Sequence, residues 1–148
     1  MIVSIDWLRE FLEIKESPNE LADMLSSSGL EAELNSVPLL LPGVIIGKVE
    51  STEKHPDADK LKICIVNDGQ KTHQVICGAP NVDSRQLVPF ATVGSILPGN
   101  LKIKKANIRG VESNGMICSE RELNISDEHE GIMVLPNDLP LGKDFMEV

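Results

Sequence analysis

Tyrosine is absent from the 148 residues, and the remaining aromatics are one tryptophan and three phenylalanines. Trp7, Phe11, Phe90 and Phe145 are too few to build a platform on which unpaired bases could stack. Cys64, Cys77 and Cys118 are three, an odd number, with no Cys-x-x-Cys pair. That pattern supports neither a disulfide scaffold nor a cysteine zinc site, and it fits a reducing cytoplasm. No apolar run approaches the ~18 residues needed to span a bilayer. The opening MIVSIDWLREFLEI has acidic residues inside its apolar stretch and no basic start, so it does not read as a secretory signal.

Catalytic patterns are scarce as well. His55, His73 and His129 are scattered, and His55 with Asp57 and Asp59 falls short of the three or four converging ligands a metal needs. Asp57 and Asp59 more naturally cap a turn or short helix leading into a strand at Leu61. Cys77 and His73 on one strand would stand ~13 Å apart, too far for a nucleophile and its base. Neither a phosphate-cradling glycine loop nor a dinucleotide fingerprint is present. No catalytic residue and no metal are expected in this chain.

What is present is core material and an uneven charge. Hydrophobic residues make up 41% and charged residues 25%, enough to bury a core and too apolar for a disordered chain. The net charge of −9 is not spread evenly. Residues 1–47 carry two basic and eight acidic side chains (−6), and residues 111–148 carry two and nine (−7). Residues 48–110 carry ten against six (+4). Attraction to phosphates depends on the local field, so the middle of the chain is where an RNA partner would be sought.

Pro38, Pro42 and Gly43 divide the chain into a segment 1–38 and a domain 39–148. In the first, Met1–Ile5 reads as a short strand, and Asp6 or Ser4 caps a helix through Leu12. Ser17-Pro18-Asn19-Glu20 opens a second helix with a capping box and a proline at its first position, and Ser28-Gly29 ends it. Leu30–Val37 alternates as a strand. This β-α-α-β unit is too small to bury a core alone, so Trp7 and Leu21 are expected to be more exposed than usual.

In the second, Val44–Val49, Leu61–Asn67, Gln74–Cys77, Leu87–Val93 and Leu101–Ile108 read as five short strands separated by turn residues. They predict a mainly β protein built on a small closed or partly closed barrel. Met116–Leu123 reads as a short helix and Gly131–Leu135 as a last strand. Lys102 and Lys104 share a strand face, opposite Lys105, and Lys48, Lys54, Lys60 and Lys62 fall in the first strand and the loop after it. On a small barrel these stretches and Arg109 could form one cationic groove tracking a phosphate backbone.

Three stretches carry a family resemblance. They are His55-Pro56-Asp57-Ala58-Asp59-Lys60-Leu61, Val75-Ile76-Cys77-Gly78-Ala79-Pro80-Asn81-Val82, and Lys104 through Ser119 ending in Glu122-Leu123. Together they resemble the tRNA-binding OB-fold domain, which implies a five-stranded OB barrel over residues 39–148. Ser4-Ile5-Asp6-Trp7-Leu8, Ser17 to Asp23 and Gly29 to Glu33 are similar to the start of the bacterial phenylalanine–tRNA ligase beta subunit.

That second resemblance implies an N-terminal stretch of a much longer subunit, whose first 38 residues are half of a discontinuous domain. It further implies tRNA as partner, an alpha subunit in an α2β2 assembly, and ATP and magnesium for the parent enzyme, with the aminoacylation site elsewhere. Neither DNA nor a membrane is implied. Carried over to this sequence, Arg109, Ser113 and Met116, with Lys104 and Lys105 before them, are the expected RNA-contacting residues. Lys48, Lys60, Lys62 and Lys102 are added from the charge pattern. Ser113 could instead cap a following helix and Met116 plug the barrel end. The alternatives are a free-standing tRNA-binding protein and a subunit-interaction module without RNA contact.

Overall fold

A computed structural model describes residues 3–34 and 41–148, and the chain splits into two compact units, Met1–Pro38 and Leu39–Val148. The first unit holds two helices. Ser4 takes the Trp7 amide proton at 3.4 Å and starts α1 (Ile5–Arg9). Ser17 opens α2 (Pro18–Ser27) with a reciprocal capping box. Its hydroxyl accepts from the Glu20 amide at 3.4 Å, and the Glu20 carboxylate accepts the Ser17 amide at 2.8 Å. The Ser17 hydroxyl also donates to the Glu20 carboxylate at 2.7 Å, and this bond together with the Ser17 amide holds the Glu20 carboxyl below its usual range. α2 ends where Gly29, at φ +90°, lets Leu30 bond back to the Leu25 carbonyl at 3.0 Å.

The two strands expected in this unit are a correction. Ile5 begins a helix because the Ser4 cap turns the chain, and residues 30–34 form no strand. A strand is stable only against a paired neighbour, and no described residue of this unit belongs to a sheet. Met1, Ile2 and residues 35–37 lie outside the described residues. Neither Trp7 nor Leu21 is buried. Trp7 is 54% exposed and touches Phe11 edge-on, with ring centroids 5.3 Å apart.

The second unit is a nearly closed antiparallel barrel. Its strands are β1 (Val44–Lys54), β2 (Lys62–Asn67), β3 (Thr72–Cys77), β4 (Leu87–Ala91) and β9 (Met116–Ile117), in the order β3-β2-β1-β4-β9. Two small hairpins are added, β5 (Ile96–Leu97) with β6 (Leu101–Lys102), and β7 (Ala106–Ile108) with β8 (Val111–Ser113). β1 is long enough to serve both halves because a bulge between Val49 and Ser51 re-aims it. The barrel closes between β3 and β8. There the Ser113 hydroxyl accepts the Ile76 amide at 3.0 Å, Asn114 donates to the Gln74 carbonyl at 2.8 Å, and the Gln74 side chain reaches the Glu112 carbonyl.

Phe90 fills the interior with Val49, Val66, Val75 and Val88. Its ring needs two glycines beside it. A Cβ on Gly47 would stand 2.8 Å from Val66 Cγ1, and one on Gly115, at φ +134°, would stand 2.5 Å from the Phe90 ring. Val44 and Ile46, on the other face of β1, are covered by the chain after β9, including Leu123, Leu135 and Phe145.

Three expected elements differ. Leu101–Ile108 is two strands, because Ile103 turns inward to exchange bonds with Gly94 and Ser95, both at 2.8 Å. Met116–Leu123 is not a helix: Met116 and Ile117 pair with Ala91 and Phe90. Ser119 and Glu122 then form a capping box, but the turn is closed at Asn124, at φ +58°. Gly131–Leu135 is held without a strand ladder, by the Asn81 amide bonding both ways to Ile132 at 2.9 Å and by one bridge from Leu135 to Leu87.

Candidate nucleic-acid interface

The three motif stretches meet at one end of the barrel. His55 is 2% exposed and sits where β1 gives way to the loop toward β2. Its Nδ1 accepts the Asp57 amide at 3.0 Å, and its Nε2 lies 3.0 Å from the Ile108 carbonyl at the tip of the β7–β8 hairpin. A nitrogen facing a carbonyl must donate, so the ring is the Nε2–H tautomer with Nδ1 as acceptor. A second tie crosses the same gap: Arg109 Nη1 donates to the Asp57 carbonyl at 3.0 Å. The antiparallel register of β8 on β3 carries that tip toward Gly78, where β3 ends.

The hairpin tip itself is strained. Arg109 at φ +49° and Gly110 at φ +84° are the central pair between Ile108 and Val111, the pattern of a type I′ turn. Gly110 bears such a conformation freely, whereas a side chain with a Cβ costs roughly 1 kcal/mol there. The Asn107 side chain supports the turn by accepting the Gly110 amide at 2.9 Å.

Beside the loop lies an open cleft of about 680 Å³, lined by Lys54, Lys60, Lys62 and the Gly78-Ala79-Pro80 wall. Lys54 pairs with Asp59 at 3.4 Å, and Lys105 at the base of the hairpin pairs with Glu112 at 3.0 Å. Both pairs are mostly in water, so each is weak and exchanges readily for a phosphate. The Lys105 ammonium and the Asn114 amide hold the Glu112 carboxyl below its usual range.

The expected residues therefore divide. Lys60, Lys105 and Arg109 are exposed at this end, and Lys104 is exposed next to Lys105. Lys102 is exposed on the separate β5–β6 hairpin, opposite Ile96. Lys62 faces the cleft, and its ammonium gives one of its three N–H bonds to the Val82 carbonyl at 2.8 Å. Lys48 is half-buried on β1, roughly 20 Å along the strand from Lys54, and joins none of the others. Ser113 is 4% exposed and fully engaged by the barrel seam, and it does not cap a helix. Met116 is half-buried against the cluster of Leu41, Val44, Leu97 and Leu123 at the barrel end.

His55 and the Asp57 carbonyl were missed as ties, since a loop histidine gives no sequence signal of a bond 53 residues away. Among the described residues no cluster of metal-ligating side chains is present, and no helix is long and apolar enough to cross a membrane.

Residues 44–144 match the model of the putative tRNA binding domain. The chain belongs to this family. Over 97% of its length it is 51% identical to the phenylalanine–tRNA ligase beta subunit of Pseudomonas fluorescens, and over 96% it is 50% identical to that of Geobacter sulfurreducens. The chain spans 18% of the length of each of these relatives. Among solved structures it resembles the C-terminal domain of Plasmodium vivax p43, with TM-score 0.50 and 24% identity over 74% of this chain and 61% of that one. A MetRS-related protein from Pyrococcus horikoshii matches at TM-score 0.50 and 23% identity, over 67% and 84%. Those two likenesses concern the fold, and they agree with the mainly β barrel.

Proposed function

We propose that this chain is the tRNA-binding module of a phenylalanine–tRNA ligase beta subunit, and that it holds RNA at the end of the barrel where the three motif stretches meet. Lys54, Lys60, Lys104, Lys105 and Arg109 are the phosphate contacts, with Lys102 at the margin. The observation that carries this is the double tie of the hairpin tip to the loop, His55 to Ile108 and Arg109 to Asp57, which gathers the basic residues of the two stretches. Phe90 is buried and Phe145 packs half-buried against the barrel clusters, so the barrel unit offers no aromatic platform and reads backbone and shape rather than stacked bases. In the parent enzyme the module contributes tRNA contacts to ATP- and magnesium-dependent attachment of phenylalanine in the cytoplasm, beside an alpha subunit in an α2β2 assembly. The first 38 residues form part of a domain completed by the rest of the beta subunit.

Filter binding of bulk tRNA to the 148-residue chain over a range of salt tests the reading. Affinity should fall steeply with salt, and Lys60→Glu/Arg109→Glu should weaken it and flatten the slope by about 1 per lost contact. Binding that is insensitive to salt and to this charge reversal would favour a subunit-interaction module instead.

A further inference from the structure

We infer that His55 is a positioning residue for RNA binding, acting through Arg109; this rests on the function proposed above. The ring is nearly without solvent contact and offers one nitrogen to each side of a gap: Nδ1 shapes its own loop through the Asp57 amide, and Nε2 grips the Ile108 carbonyl beside Arg109. Arg109 stands at a left-handed position that its Cβ disfavours, and its Nη1 is directed at the Asp57 carbonyl. The two ties share one loop. His55 orders the Asp57 peptide, and the Asp57 carbonyl in turn aims the guanidinium, leaving its other N–H groups for a phosphate. Losing the grip on Ile108 lets the tip relax to an easier backbone and carries Arg109 away from Lys60.

Two substitutions separate the arms. His55→Asn keeps an acceptor for the Asp57 amide and is too short for Ile108, whereas His55→Gln places an N–H where Nε2 was. The test measures bulk tRNA affinity of the 148-residue chain at low salt, below the unfolding temperature of each variant. Arg109→Ala and His55→Asn should each weaken binding about tenfold, the size of one charged hydrogen bond. The two changes together should be no worse than either alone, and His55→Gln, which keeps the grip on Ile108 but gives up the Asp57 amide, should lose less than His55→Asn. Additive losses, or full affinity in His55→Asn, would overturn the proposal.

Amide exchange at Ile108 and Gly110 provides a readout that needs no RNA: it should quicken in His55→Asn and not in His55→Gln. If the parent chain fails to bind tRNA, the proposed function falls, and unchanged exchange at the tip would then overturn the positioning role separately. Should His55→Asn not fold, nitrogen NMR of the parent decides. The Nε2–H tautomer is required, and the Nδ1–H tautomer would contradict the grip.

Discussion

The Ser113 hydroxyl accepts the Ile76 amide proton at 3.0 Å and donates a longer bond, 3.4 Å, to the Gly115 carbonyl. One buried side chain thereby does what a ladder pair would do where β3 meets β8.

Removing it takes that partner from a half-buried Ile76 amide. Ser113→Ala should therefore destabilise the barrel by about 1–3 kcal/mol in urea unfolding. Affinity for tRNA, measured well below the transition, should not change. A variant as stable as the parent would show that water or another group replaces the hydroxyl.

Two glycines with positive φ should respond differently to alanine. At Gly110 nothing lies within 4 Å of the added carbon, so only backbone strain is felt, about 1 kcal/mol. At Gly115 the carbon meets the Phe90 ring at 2.5 Å and the Ala91 carbonyl at 2.8 Å, in addition to the strain. Gly115→Ala should cost about 3 kcal/mol or more. Equal midpoints for the two variants in urea would refute the packing of Phe90 described above.

Acid stability should depend on the β2–β3 turn. Asp68 Oδ2 lies 2.6 Å from His73 Nε2, and the His73 ring rests on Phe90 with centroids 5.2 Å apart. Burial alone would raise the Asp68 pKa. The His73 bond and the amides of Lys71 and Gln70 overcome that and lower it from 3.8 to about 2. A depressed folded value means stability that is complete above the unfolded pKa and lost as pH falls from about 4 toward 2. Unfolding free energy measured from pH 5 to 2 should show this loss, and Asp68→Asn should flatten that part of the curve.

The three thiols should be silent in the native protein. Burial pushes Cys64 and Cys118 up to about 12 and raises Cys77 as well. An aromatic disulfide reagent at pH 8 should titrate none of them quickly, and all three after denaturation. A fast-reacting thiol in the native state would contradict the burial of Cys64, Cys77 and Cys118 in the barrel core.

Much of the barrel was legible because its strands announce themselves locally. Alternation in Lys62–Asn67 and Thr72–Cys77, broken by Asp68-Gly69, places β2 and β3 within two residues of where they fall. What was not legible depends on partners far along the chain. Met116 and Ile117 look helical beside Ser119 and Glu122 until β4 offers them Ala91 and Phe90. Residues 30–34 alternate as a strand would but pair with no neighbour among the described residues. In the interface, the charges of Lys60, Lys105 and Arg109 could be read directly. The bonds of Lys62 to Val82 and of Ser113 to Ile76 could not, since both join residues 20 or more positions apart.

Asn81 fastens the returning chain at Ile132, and the Ser119–Glu122 pair fastens it where it leaves β9. Between those two moorings, residues 124–130 are all exposed and carry Asp127, Glu128 and Glu130. The backbone of this stretch is tied to Glu120 and Arg121, but its carboxylates stand in water, so the sign of charge on this flank can be changed by substitution without touching the barrel core.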